Sequence, residues 1–429
     1  MTRAIALALI ALNGLFAEEL PQHVLNLARV KARVQENLRT VPDYTCLAVT
    51  DRFEQGFRDA APRQVDVVRM EVAHSGGTDL YAWPGATSFE ASSAAELIGA
   101  GMYGSGEFAT HLGNLFGGFA VIKYAGEADV LGRKLWRWNY SLAEAFNKWA
   151  VTFGSRTANA GEIGSFWVDE RTFDIARLEV HSDGLPPNFP ISQVDTMIDY
   201  ARVRIGAREV LLPQSALTIT TEGFSGKRSQ NYTEFSHCRQ YVTQSEVKYN
   251  VQEPPVAEGA SSSGVKETTI PANLRVAIAL TTEVNSQTAA VGDLIEAVVT
   301  SEVTQKNRTI VPKGAVLRGR LRRMDLRAGP PDQFVVGLEF MDLESPGHHA
   351  RFLGRLERVD TQVPGFHSLM DFMHVKQKPT AWGVEVVTSG TAYRIPAIPG
   401  VGVFFIEGSS FRLPKGMAMT WVTEEVARK

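Results

Sequence analysis

Cysteine is nearly missing from this chain: Cys46 and Cys238 are the two in 429 residues. That excludes a disulfide-dense scaffold and leaves one intramolecular bridge as the candidate pairing. Strong charge of either sign is missing as well. The formal net charge is -3, too weak to imply nucleic acid or a polybasic membrane contact. Beyond the N-terminus no apolar run reaches the length that spans a bilayer. Motifs that carry catalysis are also missing. Gly99 to Gly104 matches G-x-G-x-x-G by letter, but it lies in β-rich sequence and not in a βαβ unit, so a nucleotide site is not expected. Ser105 misses the G-x-S-x-G elbow because Tyr103 and Glu107 stand at the outer positions. His348-His349 has no partners at ligand spacing, so no metal is expected. Asp169-Glu170 reads as a solvated turn and not as an acid–base pair.

What is present is β pattern. Gly161 to His181, GEIGSFWVDERTFDIARLEVH, reads as strand, turn, strand. Phe166 and Val168 alternate with Ser165, Trp167 and Asp169, the period of a half-buried strand. Glu170, Arg171 and Thr172 form a polar connection of hairpin length. This hairpin is expected near the centre of one large antiparallel sheet. Further strands are expected near 44–53, 64–74, 78–84, 119–125, 130–139, 147–153, 197–206, 208–212, 215–222 and 229–242.

Three helices accompany them. Pro21 to Arg39 carries Leu20, Val24, Leu27, Val34 and Leu38 at helical spacing, and Val41-Pro42-Asp43 stops it. Ser93 with Glu96 makes a capping box before Leu97 and Ile98. Ser105 is a cap for a helix whose face is Phe108, Leu112, Leu115 and Phe116, ended by Gly117-Gly118.

Thr2-Arg3, the apolar run Ala4 to Leu12 and the small residues to Ala17 read as an export signal, 1–17, cleaved after Ala17. The alternative is an uncleaved anchor or a buried helix. Export to the periplasm or beyond makes a Cys46–Cys238 bridge plausible, stapling the first strand of residues 18–249 to the last. Two buried free thiols are the alternative. Residues 250–268, rich in Pro, Gly, Ser and charge, read as a linker. Residues 269–429 are again β-rich. Val311-Pro312-Lys313-Gly314 and Leu413-Pro414-Lys415-Gly416 each lead into a strand, and Pro-Lys-Gly suits a turn that starts one. Arg318, Arg320 and Arg322 alternate onto one strand face. A solvated face is the ordinary reading, and an anionic partner the sharper one.

The leading helix, Tyr103-Gly104-Ser105-Gly106-Glu107-Phe108 opening a short helix, the strand Phe166-Trp167-Val168-Asp169, and Tyr200 to Leu212 make residues 20–248 resemble the periplasmic lipoprotein-carrier and sorting (LolA-like) family. The resemblance implies a mostly β fold, a half-open antiparallel β-barrel with covering helices, whose cavity takes acyl chains. Phe108, Leu112, Leu115 and Phe116 on the helix, with Trp136, Trp138 and Trp149 from neighbouring strands, are then the expected lining. Ordinary core is the plain alternative for each. Ala290-Val291-Gly292-Asp293, Ala297-Val298-Val299, and Ile310 to Ala315 with Arg318-Gly319 make 269–429 resemble the β-barrel domain of TrbI-type conjugation and type IV secretion proteins. That implies a second, smaller β-barrel or sandwich without a pore.

The resulting expectation is an exported cell-envelope protein that binds a lipid or lipoprotein acyl chain without catalysis, with no cofactor, no nucleic acid and at most peripheral membrane contact. The competing expectation is a structural or interaction protein of the envelope, or a secretion-system accessory, with no ligand and with an envelope protein as its partner.

Overall fold

The structure is a computed structural model. It describes residues 20–98, 110–241, 270–360 and 398–425 apart from single loop positions, together with short strands between 366 and 395. The expected signal peptide 1–17, the linker 250–268, the glycine run 99–104, Ser105 and Phe108 lie outside the described residues.

The first part contains α1 (Gln22–Thr40), β1 (Tyr44–Gln55), β2 (Arg63–Ser75), β3 (Thr78–Ala82), α2 (Ala94–Ile98), α3 (Thr110–Phe116), β4 (Val121–Val130), β5 (Arg133–Leu142), β6 (Ala150–Phe153), β7 (Arg156–Asn159), β8 (Gly161–Asp169), β9 (Ile175–Asp183), β10 (Ile191–Ile205), β11 (Arg208–Glu222) and β12 (Arg228–Gln240). Ten of these strands form one sheet in the order β3-β2-β1-β12-β11-β10-β9-β8-β5-β4. Its neighbouring strands pair antiparallel throughout, as in β1–β12, β8–β9 and β10–β11. The chain is mostly strand, and this sheet curls into a half-open barrel carrying α1 and α3. The expected fold class is therefore the observed one.

The β8–β9 hairpin is an interior pair but not the middle of the sheet; only β5 and β4 lie beyond it. Nor is β8 half-buried. Ser165, Phe166, Trp167 and Val168 are all buried. The second face is covered because Arg137 lies over the Trp167 ring at 5.2 Å and donates to the Ser165 Oγ at 3.0 Å. The turn is held by Asp169, whose Oδ1 accepts the N–H groups of Arg171 (3.0 Å) and Thr172 (3.1 Å). Burial alone raises the Asp169 carboxyl; those bonds and Arg133 outweigh it and hold it below its usual range. The segments expected at 208–212 and 215–222 are one strand. Pro213 fits inside β11 because it faces the bulge at Asp199/Tyr200, and β12 pairs with β11 only from Ser215 onward.

The rotation of α1 differs from its apolar pattern. Asn26, Val30 and Val34 are the buried positions, while Leu20 and Val24 are exposed. Two tethers set this rotation. Asn37 exchanges both amide bonds with Leu211 (3.1 and 2.8 Å), and Arg33 reaches Asp174 at 3.2 Å, which Arg202 also holds. In α2, Glu96 reaches back to the Ser92 N–H and Oγ and also to Ser93, the expected partner.

The second part contains β13 (Arg275–Leu280), β14 (Val284–Asn285), β15 (Leu294–Val299), β16 (Val303–Gln305), β17 (Arg308–Val311), β18 (Val316–Arg327), β19 (Gln333–Ser345), β20 (His348–Arg351), β21 (Gly354–Asp360), β22 (Phe366–His367), β23 (Lys378–Thr380), β24 (Gly383–Thr388), β25 (Thr391–Ile395), β26 (Val401–Glu407), β27 (Arg412–Leu413) and β28 (Ala418–Thr423). Its main sheet runs β21-β28-β13-β15-β18-β19-β26-β22, with β20 on β19. The two Pro-Lys-Gly turns are near copies. Gly314 and Gly416 take φ of 86° and 85°, and Ala315 and Met417 each donate to the proline carbonyl three residues back at 3.2 Å. Gly314 N–H closes on Val299 and Gly416 N–H on Leu280, so each turn caps the strand it follows in space.

The two parts meet along β2. Val291 N–H donates to Val67 C=O, and Arg69 N–H to Val291 C=O, both at 2.8 Å, a parallel bridge on the free edge of β2. The Arg69 guanidinium bonds both Asp293 oxygens at 2.7 Å. Arg322 of β18 donates to the Leu97 carbonyl at 2.8 Å, lies over the Trp83 ring at 5.1 Å and pairs with Glu339. Nearby, Arg52 and Asp66 form a buried pair (2.5 Å), and Arg323 holds Asp325 at 3.1 Å. Burial pushes the Asp325 carboxyl up and the Arg323 guanidinium down.

Two outcomes are expected. Replacing Cys46 and Cys238 together by Ala lowers unfolding stability by about 2–5 kcal/mol, because the bridge closes a loop of 192 residues; urea denaturation under oxidising and reducing conditions measures it. A Cβ at Gly292 would stand 2.4 Å from the Arg69 carbonyl and 2.7 Å from the Trp83 ring, at a φ of 102°. Gly292→Ala therefore loosens the junction, and a single calorimetric transition separates into two.

Candidate functional site

The interior of the first sheet is built from one row of facing residues. Register places Trp138 beside Phe166, Phe166 beside Leu178, and Leu178 beside Ile198. All four are buried. The Trp138 and Phe166 rings stack at 5.5 Å, and Phe116 of α3 meets Phe166 edge-on at 5.4 Å. Such pairs add modestly to the apolar burial itself. Leu112, Leu115 and Phe116 are buried, which puts the apolar face of α3 on this row. Trp149 is buried against His111. Trp136 is only partly buried; it meets Trp138 edge-on at 6.1 Å and packs on Phe173 at 5.7 Å. Of the expected lining, then, Leu112, Leu115, Phe116, Trp138 and Trp149 gather at α3, Trp136 joins them at the edge through Trp138, and Phe108 is outside the described residues.

Sequence reasoning missed the polar attachments of α3. His111 Nδ1 lies 3.1 Å from Glu162 Oε1, and the Tyr140 phenol donates to Glu162 Oε2 at 3.2 Å. Glu162 is fully buried. Asn114 donates to Asn147 Oδ1 at 2.6 Å, and Asn147 donates to Ala160 C=O at 2.8 Å. A seven-residue helix cannot hold itself in water, so these contacts and the apolar face fix it. The signal in the sequence was a lone His beside Leu112, and nothing local links it to Glu162, 51 residues away.

Three tyrosines share this interior. Tyr44, Tyr140 and Tyr200 are each pushed well above the ordinary tyrosine value, first by burial. Nearby negative charge adds to this: Asp79 for Tyr44, and Glu162 for Tyr140 and Tyr200.

The arginine face of β18 is not a free anionic-ligand surface. Arg318 pairs with Glu296 and Glu344, Arg320 is buried and donates to Gly292 C=O at 2.9 Å, and Arg322 is taken up in the junction. His349 faces Asp342 at 3.4 Å. Among the described residues no group of three or more His, Cys, Asp or Glu is placed to hold a metal, and no helix is long and apolar enough to cross a membrane.

No family model matches the chain, and no curated protein matches it. Solved structures give distant likenesses. A domain described as an outer membrane lipoprotein-sorting protein, from Vibrio parahaemolyticus, is 8% identical with a TM-score of 0.26, covering 51% of this chain and 93% of that one. A DUF1329 family protein from Desulfovibrio piger is 13% identical with a TM-score of 0.28, covering 51% and 92%. With TM-scores this low, the fold class rests on the strand order and the curl described above. The TrbI-type resemblance of residues 269–429 gains nothing from these likenesses.

The tyrosines give a pH dependence. Their folded values lie above the unfolded one, so their contribution is intact below about pH 10 and is lost as pH rises through the folded values. Melting temperature is expected to hold from neutrality to about pH 9 and to fall above about pH 10, less steeply in Tyr200→Phe; circular dichroism melts measure it.

Proposed function

We propose that this is an exported, two-domain cell-envelope protein whose first domain, residues 18–249, carries a lipid or a lipoprotein acyl chain without catalysis. The observation that carries the reading is α3: a seven-residue helix that covers a buried aromatic and aliphatic row on a half-open sheet through one narrow apolar face. An acyl chain offers that row the same apolar contact as Leu112, Leu115 and Phe116. Exchange of one for the other costs little transfer free energy, at about 25 cal/mol per Å² either way. The Cys46–Cys238 bridge fits an oxidising compartment. Residues 269–429 would serve envelope assembly or protein contact.

A second reading, an envelope interaction protein with no ligand, is favoured by one feature. Phe119, just before the edge strand β4, and Phe146, between β5 and β6, stack face to face at 4.6 Å while 62% and 53% exposed. Exposed apolar patches of this kind mark contact surfaces.

Organic extracts of the protein purified gently from an oxidising periplasm are expected to contain a stoichiometric lipid by mass spectrometry. Leu115→Asp/Phe116→Asp is expected to lose it while far-UV dichroism is retained. A ligand-free protein that also shows no saturable uptake of an apolar dye would sink the carrier reading in favour of the interaction protein.

A further inference from the structure

One oxygen in the interior of the first sheet is left unexplained by the fold. Tyr200 is buried, and its phenolic oxygen finds no hydrogen-bond partner among the described residues. A buried hydroxyl in that condition costs stability that Phe in its place would not. Such groups in folded proteins call for an explanation. Tyr200 continues the inward alternation of Thr196 and Ile198 along β10; the extra residue of the register shift beside it, Gln214, lies on β11. Its phenol lies within electrostatic reach of Glu162, and the Tyr44 and Tyr140 phenols in turn feel Tyr200.

The surroundings select what this hydroxyl can hold. Glu162 is not available as the handle, because His111 occupies one of its oxygens and Tyr140 the other. Its negative charge is felt by the neighbouring phenols, raising both Tyr140 and Tyr200. A ligand carboxylate or phosphate placed beside it would meet like charge in a low-dielectric interior. A bare hydrocarbon would leave the phenol unpaired. A neutral acceptor satisfies both conditions: it takes the phenolic hydrogen and brings no charge. We infer that Tyr200 donates its hydrogen bond to the ester or amide carbonyl of an acyl chain seated in the interior of the first sheet, so that the site selects carbonyl-linked acyl chains over free fatty acids. This rests on the carrier reading above and adds the chemical class of the ligand to it.

The test uses the full exported chain, wild type and Tyr200→Phe. Methyl palmitate, palmitate and hexadecane are each titrated in competition against a polarity-sensitive apolar dye. In the wild type, methyl palmitate is expected to displace the dye about tenfold more tightly than hexadecane, roughly the worth of one hydrogen bond, and more tightly than palmitate. In Tyr200→Phe that advantage over hexadecane is lost, hexadecane itself binds as before, and the unliganded variant melts no lower than wild type. With a ¹³C-labelled ester, the carbonyl stretch is expected at lower frequency in wild type than in the variant. Equal ester binding by both proteins overturns the inference, as does palmitate binding tighter than its ester. A drop in the melting temperature of the unliganded variant overturns it too, since the phenol would then have a partner in the fold. Failure of the carrier reading looks different: the dye shows no saturable site in either protein, and the inference falls with it.

Discussion

The pairing of β1 with β12 is the contact on which the first sheet depends. The order β3-β2-β1-β12-β11-β10-β9-β8-β5-β4 joins two antiparallel runs through this strand pair. It brings Tyr44 opposite Gln240 and keeps register to Gln55 and Arg228, with one irregularity between Thr45 and Leu47. Closing so long a loop is entropically costly before any contact offsets it. The Cys46–Cys238 bond sits at that irregularity and holds the two strands where the ladder is weakest. Within the sheet, Thr50 and Thr233 bond at 2.8 Å. The same joint places Arg52 against Asp66 on the neighbouring β2, and so prepares the surface that the second part meets.

That meeting combines backbone and charge. The bridge between Val68 and Val291 covers part of the β2 edge, which would otherwise present unpaired backbone groups. The charges around it come in satisfied pairs: Arg69 with Asp293, Arg52 with Asp66, Arg323 with Asp325. The buried pairs Arg52–Asp66 and Arg323–Asp325 add little net stability but penalise any other alignment, because a shifted register strands a buried charge. Arg322 extends the junction to the Leu97 carbonyl in α2, a helix on the first part, so the second part is physically connected to the region that leads toward α3. The basic face of β18 is thus spent on internal order.

The core row and its cover follow one logic. The strands supply Trp138, Phe166, Leu178 and Ile198 in register, and α3 supplies Leu115 and Phe116 to cover them. The apolar half of this was legible in sequence, because period-two alternation and helical spacing report which residues turn inward. The polar half was not. His111, Glu162, Asn114, Asn147 and Tyr200 come from four separate elements and connections, and each is an ordinary polar residue in its local context. Alternation also misread the outer face of β8, since a long arginine from the next strand can bury Trp167 and Ser165 without any apolar partner.

The sequence by itself determined the mostly β character, nearly every strand of the first sheet, the helix at its start, and the paired Pro-Lys-Gly turns. These depend on side-chain alternation and on residues with restricted or permissive φ, which act over a few positions. Only the tertiary structure decided which strands are neighbours, the rotation of α1, the pairing of the β18 arginines, and the convergence of His111, Glu162 and three tyrosines inside the sheet. Those depend on contacts between residues far apart in the chain, where burial and charge pairing choose among arrangements that local pattern leaves equally open.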